Sequence, residues 1–232
     1  IDFSGSSQYI TTSSINLDTS DYTMCFWFMA DVNSVDQGMI NMLSNGSNRL
    51  ISFGWFYNNI YFRLTSHYQG STYIPTGQWT HVCGTRDYIS SQSVLNLFIN
   101  SSKDANFPVT QNNPSGVMGN LNIGRWPYGG YDFNGKMSEV ALWNRVLTQD
   151  EISDVYKSRA GSVFSGLIHY WNFNEGSGSV ANDTVGTRNG TLVNNPARLS
   201  TVPTRTFSNS SPLVRAYNSD ITTSRNFTLN DG

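Results

Sequence analysis

Glutamates are scarce in this chain of 232 residues, and their positions decide what carboxylate chemistry it could perform. Glycoside hydrolysis needs two carboxyl groups that flank one scissile bond. The chain has three glutamates, Glu139, Glu151 and Glu175, and no two of them stand close together in one segment. Thr148 and Glu151 have the spacing of a helix capping box, which gives that carboxylate a structural role. We therefore predict that the protein is not an enzyme.

The histidines offer little for nucleophilic catalysis. Such catalysis needs a histidine that is oriented by a carboxylate and placed beside a nucleophile. His81 and His169 lie in strand-like segments, and neither they nor His67 stand in a catalytic motif. We expect the two strand histidines to make hydrogen bonds in the core or between strands.

An aromatic, glycine-rich loop carries side chains that suit glycan contact. It reads RWPYGGYD, and its candidate ligand residues are Arg125, Trp126, Tyr128, Tyr131 and Asp132. Aromatic planes can pack against the C–H faces of sugars, while the arginine and the aspartate supply hydrogen bonds at the side. A second candidate patch consists of Tyr57, Asn58, Asn59 and Tyr61. The same rings could instead pack at a sheet edge or in a subunit contact, so both alternatives stay open.

Composition excludes several classes of partner. Charged residues make up 13% of the chain and the formal net charge is −2, so we expect no binding to nucleic acid. No apolar stretch reaches the roughly 18 residues of a membrane span, so we expect no membrane insertion. Polarity comes mainly from Asn, Ser, Thr and Gly, which is commoner in secreted and virion-surface β proteins. We predict an extracellular location, or one on a virion or cell surface.

The elements that must position these residues are mostly strands. Short apolar runs with strand-like composition recur between turn clusters such as SNGSN. The predicted strands are Gln8–Ile10, Tyr22–Ala30, Met39–Ser44, Leu50–Phe56, Ile60–Thr65, Trp79–Thr85, Val94–Asn100, Leu121–Gly124, Lys136–Trp143 and Leu167–Phe173. Many short strands with regular turns are typical of an antiparallel sandwich or jelly roll.

One segment has the period of a helix instead. Thr148 and Glu151 start it with the capping box, and Ile152, Val155 and Tyr156 place one apolar stripe along it. Gly161 is the residue that we expect to terminate it. The predicted fold class is therefore all-β, an antiparallel β-sandwich with one short α-helix and an extended C-terminal tail.

Four segments together resemble the laminin-G-like, concanavalin-A-like lectin/glucanase superfamily. They are FNGKMSEVALWNRVLTQDEI from Phe133, GQWTHV from Gly77, LNLFIN from Leu95 and GLIHYWNFNEGSG from Gly166. The resemblance implies a jelly roll over residues 1–198, with residues 199–232 as a tail. In many members the last segment precedes the first, whereas here it follows the helix. Too few residues remain for a second module, so we expect this segment to close the same sandwich.

The cysteines and one loop acquire roles from this resemblance. The family pattern places Cys25 and Cys83 on strands of the sandwich, where they would form a disulfide if those strands are neighbours. The alternative is two buried thiols that act as small hydrophobic side chains. Members often hold Ca²⁺ near the loop equivalent to NDTVGTRNG, with Asp183 and Asn189 as the candidate ligands. The alternative for that loop is a turn stabilised by its Asx side chains.

The C-terminal tail matches no motif of the family. Val214 and Ala216, and likewise Phe227 and Leu229, alternate as strand residues do. An extended segment of this kind could add a strand to the sheet of a neighbouring subunit. The alternative is a disordered tail, because the segment is rich in Ser, Thr and Asn.

The leading hypothesis from sequence is a structural or adhesive subunit of a surface assembly. The assembly would be a filament, an adhesin or a virion appendage, in which copies of the chain contact each other through the tail. The alternative is a carbohydrate-binding lectin module that binds glycans. The unexplained tail favours the first hypothesis.

Overall fold

Two antiparallel sheets pack face to face in the structure, a computed structural model. It describes residues 1–17, 19–33, 36–43, 49–114, 119–126 and 130–199. The strands are β1 (Asp2–Ser4), β2 (Tyr9–Ile15), β3 (Tyr22–Ala30), β4 (Gln37–Leu43), β5 (Arg49–Phe56), β6 (Asn59–Phe62), β7 (Thr80–Ile89), β8 (Gln92–Ile99), β9 (Ser102–Lys103), β10 (Val109–Asn112), β11 (Gly119–Ile123), β12 (Asn134–Trp143), β13 (Leu167–Trp171), β14 (Val180–Ala181) and β15 (Gly190–Val193). Helix α1 (Gln149–Lys157) lies between β12 and β13 in the chain.

The strand order shows how the chain closes the sandwich. The first sheet has the order β1-β12-β3-β7-β8-β10, with β13 beside β12 and β9 beside β8. The second sheet has the order β14-β15-β2-β11-β4-β5-β6. The segment from Gly166 to Gly178 therefore contributes β13 to the same sandwich, and β15 then pairs with β2. This confirms the predicted sandwich, and the late segment closes it as expected.

Aromatic side chains fill the space between the sheets. The rings of Phe53 and Phe62 stack with their centroids 4.4 Å apart, and Phe26 meets Phe53 edge-on at 5.2 Å. Rings of this kind each bury about 150–250 Å² and dominate the hydrophobic contribution to folding. Gly84 makes room for them, because a Cβ atom there would lie 2.4 Å from the ring of Phe53.

Helix α1 begins at the predicted capping box. The Thr148 hydroxyl accepts a hydrogen bond from the Glu151 amide, and the Glu151 carboxylate accepts one from the Thr148 amide. Both oxygens of that carboxylate also bind the Arg145 guanidinium, at 2.6 and 2.8 Å. The helix does not continue to Gly161 as expected. It ends at Lys157, because the chain leaves helical geometry at Ser158 (φ −111°, ψ −99°).

The outer face of the first sheet is covered by this helix and by a disulfide. Ile152 and Val155 are buried there with Trp143. Cys25 on β3 and Cys83 on β7 stand directly opposite each other, and they form a disulfide. Of the two alternatives for the cysteines, the structure therefore has the bonded one. Because this face is covered, the outer face of the second sheet is the candidate binding surface.

Candidate functional site

The outer face of the second sheet is polar and uncharged across its middle strands. A row of directly paired residues crosses five strands there: Thr191, Thr11, Asn122, Asn41 and Ser52. Residues that pair directly across strands point to the same face of a sheet. The Ser52 hydroxyl donates to the Asn41 carbonyl oxygen at 2.8 Å, and the Asn41 amide donates to the Arg125 carbonyl at 3.0 Å. The row thus ends under the aromatic loop that the sequence singled out.

A series of aromatic rings adjoins this row. We call these rings, Tyr57, Phe56, His67, Tyr61 and Trp126, the aromatic band. Successive centroids are 4.5 Å (Tyr57 to Phe56), 6.4 Å (to His67), 4.6 Å (to Tyr61) and 6.4 Å (to Trp126) apart. Tyr61 is fully buried at its centre, whereas Tyr57 is 59% exposed at one end. The band therefore exposes apolar ring surface that is supported by a buried ring.

Two arginines lie against the rings. The guanidinium carbon of Arg63 is 4.9 Å from the ring centroid of Tyr61 and 4.8 Å from that of Trp126. The guanidinium carbon of Arg125 is 4.2 Å from the ring centroid of Tyr9. Such cation–π contacts hold planar guanidinium groups in a fixed position. The surface therefore combines stacking faces with hydrogen-bond donors.

The backbone of the aromatic loop is fixed at both ends. The Phe133 amide donates to the Gly124 carbonyl at 3.0 Å, and the Gly38 amide donates to the Tyr131 carbonyl at 2.7 Å. Gly38 also allows the loop to approach β4, because a Cβ atom there would lie 2.4 Å from the Trp126 nitrogen. The sheet therefore positions Trp126 through main-chain contacts.

The β5–β6 hairpin displays the outermost ring of the band. Its two turn residues, Tyr57 and Asn58, both have positive φ, 45° and 65°. Two-residue hairpin turns with this geometry strongly prefer Asn and Gly, because a bulky side chain is strained there. Strain of about 1–3 kcal/mol at an exposed residue is a common mark of a functional position.

The structure brings together two of the five predicted ligand residues. Arg125 and Trp126 belong to the band or touch it, and Tyr131 is 50% exposed farther along the loop. One oxygen of Asp132 accepts a hydrogen bond from the Ser7 amide at 2.9 Å. Tyr128 lies outside the described residues. The two candidate patches turn out to be one surface, since Tyr61 meets Trp126.

The asparagines of the second patch have structural roles instead. The Asn58 amide group donates to the Ile74 carbonyl, and the Asn59 amide group donates to the Thr72 carbonyl. They hold the segment after β6 in place, and a part for them in glycan contact stays a prediction. Arg63, His67 and Tyr9 were missed in the sequence, because only the pairing of distant strands brings them beside the loop.

The proposed calcium ligands do not fit a metal ion. One oxygen of Asp183 accepts hydrogen bonds from the amides of Tyr170, Val185 and Gly186, at 2.9–3.3 Å. The other accepts from the Arg188 amide at 2.9 Å and contacts His169 Nδ1 at 2.6 Å. Burial raises the pKa of this carboxyl, but these hydrogen bonds outweigh it and hold the pKa below its usual range.

Asn189 takes part in the same turn. Its side-chain oxygen accepts a hydrogen bond from the Asp183 amide at 2.9 Å. Both oxygens that would coordinate calcium are thus occupied by donors, so the geometry favours the Asx-stabilised turn. Two other carboxylate oxygens, Oδ1 of Asp36 and Oδ1 of Asp132, are buried without a hydrogen-bond partner among the described residues. Calcium binding stays a prediction.

Each glutamate is held in an ion pair or cap. Glu151 binds Arg145, Glu175 binds Arg198 at 2.7 Å, and buried Glu139 lies 3.8 Å from Arg159. These contacts give all three carboxylates a structural role. The absence of enzymatic activity stays a prediction. The proposed assembly residues, Val214, Ala216, Phe227 and Leu229, lie outside the described residues.

The described part of the chain contains no helix that is both long and apolar enough to cross a membrane.

Sequence and structure comparisons agree on the fold. Residues 4–153 match the family described as the concanavalin A-like lectin/glucanases superfamily. No curated protein is significantly similar to the chain in sequence. A candidate carbohydrate-binding protein from Bacteroides ovatus superposes with a TM-score of 0.63 at 19% identity. That alignment covers 81% of this chain and 56% of the other, so the chain spans little more than half of that protein.

Two further solved structures have lower scores. A heptameric SAP-like pentraxin from Limulus polyphemus has a TM-score of 0.52 at 18% identity, covering 67% of this chain and 80% of the pentraxin. A sialidase from Trypanosoma rangeli has a TM-score of 0.49 at 13% identity, covering 60% of this chain and 23% of the sialidase. At these identities the likenesses show the fold alone.

Proposed function

The chain belongs to the concanavalin A-like lectin/glucanases superfamily, and we propose that it is a carbohydrate-binding module whose glycan site is the aromatic band. The observation that carries the proposal is the band itself. Five rings form an unbroken series on the outer face of the second sheet, which helix α1 leaves uncovered. Sugars offer apolar C–H faces that stack on such rings, and hydroxyl groups that bind polar neighbours.

The polar row beside the band suits the second part of that recognition. Thr11, Asn122 and Thr191 present hydroxyl and amide groups along one face. A flat sheet with uncharged hydrogen-bonding groups can follow an extended sugar chain, while the rings fix its position. The description of the Bacteroides ovatus protein as a candidate carbohydrate binder agrees with this proposal.

An extracellular setting is part of the proposal. Disulfides persist in oxidising compartments and are rare in the cytosol, and Cys25 is bonded to Cys83. The strained Tyr57 also supports a binding role, because its conformation lowers stability without filling the core. Non-enzymatic binding is proposed on the same grounds, since each glutamate already has a partner.

Self-assembly through the tail remains the second hypothesis. It was the leading one from sequence, but residues 200–232 lie outside the described part of the chain. The aromatic band instead gives the binding hypothesis a physical surface. We therefore reverse the order of the two hypotheses.

Two substitutions in the band test the proposal on a glycan array and by titration calorimetry. Trp126→Ala removes a stacking face and should weaken binding at least tenfold, about 1.4 kcal/mol. Tyr57→Asn should also weaken binding, yet stabilise the hairpin by up to about 1 kcal/mol, because Asn tolerates positive φ. This opposite movement of affinity and stability distinguishes a binding residue from a structural one.

Phe164→Ala is the matched control, since Phe164 is a 69% exposed ring in the segment that precedes β13 of the first sheet. It should leave binding unchanged. An array without signal for the unmutated protein would contradict the proposal, and so would equal binding by Trp126→Ala.

A further inference from the structure

We infer that the glycan bound on the second sheet is anionic and carries carboxylate or sulfate groups. This inference rests on the proposed function, because it assigns a chemical class to the ligand of the same surface. Its basis is the distribution of charge over the two faces of the sandwich, which the net charge of −2 conceals.

The strands of the second sheet contain no acidic residue. Their sequences are YITTSSI, QGMINML, RLISFGWF, NIYF, GNLNI, VA and GTLV. A bound anion would therefore meet no carboxylate along any of these strands. Like charges across an interface disfavour binding, so a face without carboxylates admits anions without that cost.

Three arginines extend over this face. Arg63 and Arg125 lie against rings beside the row, and Arg188 donates a hydrogen bond to the Ser13 hydroxyl at 3.3 Å. Arg125 covers Tyr9 and Arg188 contacts Ser13, four residues farther along β2. At about 3.3 Å per residue these two anchor points are roughly 13 Å apart. That separation exceeds one sugar unit, so the arginines suit a polymer with repeated charge.

Among the acidic residues of the described chain, Asp36 directly precedes β4 and Asp132 pairs with Gly38, so these two border the second sheet. Asp150, Glu151 and Asp154 are on helix α1, which covers the opposite sheet. Asp132 borders the band, but one of its oxygens already binds the Ser7 amide. Asp183 is enclosed by hydrogen-bond donors. The second sheet thus has three arginines beside its strands and carboxylates only at its border, although the chain as a whole is slightly acidic.

Guanidinium groups recognise this ligand chemistry well. Arginine donates paired hydrogen bonds to carboxylate and sulfate-like oxyanions, and it stays charged at every physiological pH. Arg125 contacts a ring and a carbonyl, and Arg188 contacts a hydroxyl. None of these groups neutralises the charge of the guanidinium. Stacking would give affinity for sugar rings in general, while these cations would select charged ones.

Pairs of polymers that share a backbone test the inference. Dextran sulfate is compared with dextran, and polygalacturonate with its fully methyl-esterified form, by titration calorimetry at 50 and 300 mM NaCl. We expect at least tenfold tighter binding to one charged member than to its neutral partner, and a weaker preference at high salt. The two pairs also distinguish sulfate from carboxylate as the recognised group.

The variant Arg125→Gln/Arg188→Gln should lower affinity for the charged polymer at least tenfold more than affinity for a neutral glycan. Lys103→Gln is the matched control, because Lys103 is an exposed cation on β9 of the first sheet. Equal affinity for charged and neutral partners would overturn the inference while leaving the proposed function intact. Failure to bind any glycan, charged or neutral, would instead overturn the proposed function and the inference with it.

Discussion

A carboxylate has about four lone-pair positions, and Asp183 uses its two oxygens to accept hydrogen bonds from four backbone amides and to contact a histidine. Nothing is left with which to bind a cation. In the sequence, an aspartate in a polar loop with Asn189 suits calcium and a turn equally well. Only the directions of the surrounding N–H groups decide between them, and those directions depend on β13 and β15 packing around the loop.

Asp183→Asn should therefore destabilise the protein with or without calcium. The new amide group would face donors, so we expect a loss of about 2–4 kcal/mol in the free energy of unfolding, measured by urea denaturation. Because the pKa of Asp183 is lowered in the folded state, its contribution is present above an unfolded pKa of about 3.9 and declines as pH falls further.

Asn182→Ser is the control for that experiment, since the exposed neighbour keeps its backbone contact with Glu175. An excess of chelator should not change the difference between Asp183→Asn and the unmutated chain. If chelator removed the difference, Asp183 would be a metal ligand and the hydrogen-bond account would be wrong.

At the scale of elements, the sequence predicts features that depend on consecutive residues better than features that depend on contacts between distant strands. The capping box of α1 depends on four consecutive residues, so the sequence predicted its start correctly. Strand β3 also has the predicted bounds. Its residues form one continuous run, and each of them is apolar, β-branched or aromatic. Five strands were missed, β1, β9, β10, β14 and β15, since two to four residues carry too little periodicity to detect.

The candidate site illustrates the same limit. The sequence identified the aromatic loop from composition, because rings and glycine cluster there. It could not show that Tyr61 and Trp126 meet, since the contact requires β5, β6 and the loop after β11 to be neighbours. The aromatic band is a product of strand order, which residue spacing does not encode directly.

Glu151→Gln should destabilise the helix in a pH-dependent way. The hydrogen bonds from Arg145 lower the pKa of Glu151 to about 2, and those from Thr148 assist against the opposing effect of burial. Its stabilising effect is therefore complete above pH ~4.5 and lost as pH falls through ~2. We expect a loss of about 1–2 kcal/mol at pH 7, reduced for solvent screening, and a smaller difference at pH 2 to 3.

Urea denaturation across that pH range measures the effect. Asp150→Asn is the matched control, because it removes a charge in the same first turn without a contact to Arg145. It should cost only a few tenths of a kcal/mol through the helix dipole. A difference for Glu151→Gln that stayed constant from pH 7 to 2 would contradict the ion-pair explanation.

At the scale of the whole molecule, the two ends of the described chain are structurally joined. β15 pairs with β2, and Asp2 forms a bridge with Ala197 through hydrogen bonds of 2.8 and 2.9 Å. Arg198 adds an ion pair with Glu175 and donates to the Val180 carbonyl. Within the described residues, the sandwich is therefore complete only when the chain reaches about residue 198.

Two truncations test this closure. A chain that ends at Leu199 keeps every strand of the described residues and should unfold cooperatively at an unchanged Tm, measured by circular dichroism. A chain that ends at Gly178 lacks β14 and β15, which leaves one edge of β2 and the Ile10 side chain exposed. This chain should lose cooperative unfolding. Cooperative unfolding of the shorter chain at the same Tm would contradict the role given to these strands.

The chain that ends at Leu199 also isolates the effect of the tail. Because its sandwich is intact, light scattering of this chain beside the full-length protein reports on assembly alone. A lower mass for the truncated chain would support self-assembly through the tail, and equal masses would argue against it.

The pairing of β2 with β15 also sets an order of events during synthesis. β15 follows β2 only after the residues from Asn16 to Asn189 have been made, so one edge of β2 has no strand during that interval. Contacts between such distant parts of a chain form slowly, and an open strand edge invites pairing with other chains. The nascent chain therefore carries an unfinished sheet while the residues between β2 and β15 are synthesised. We expect its yield to depend on how well chaperones shield that edge before the last strand arrives.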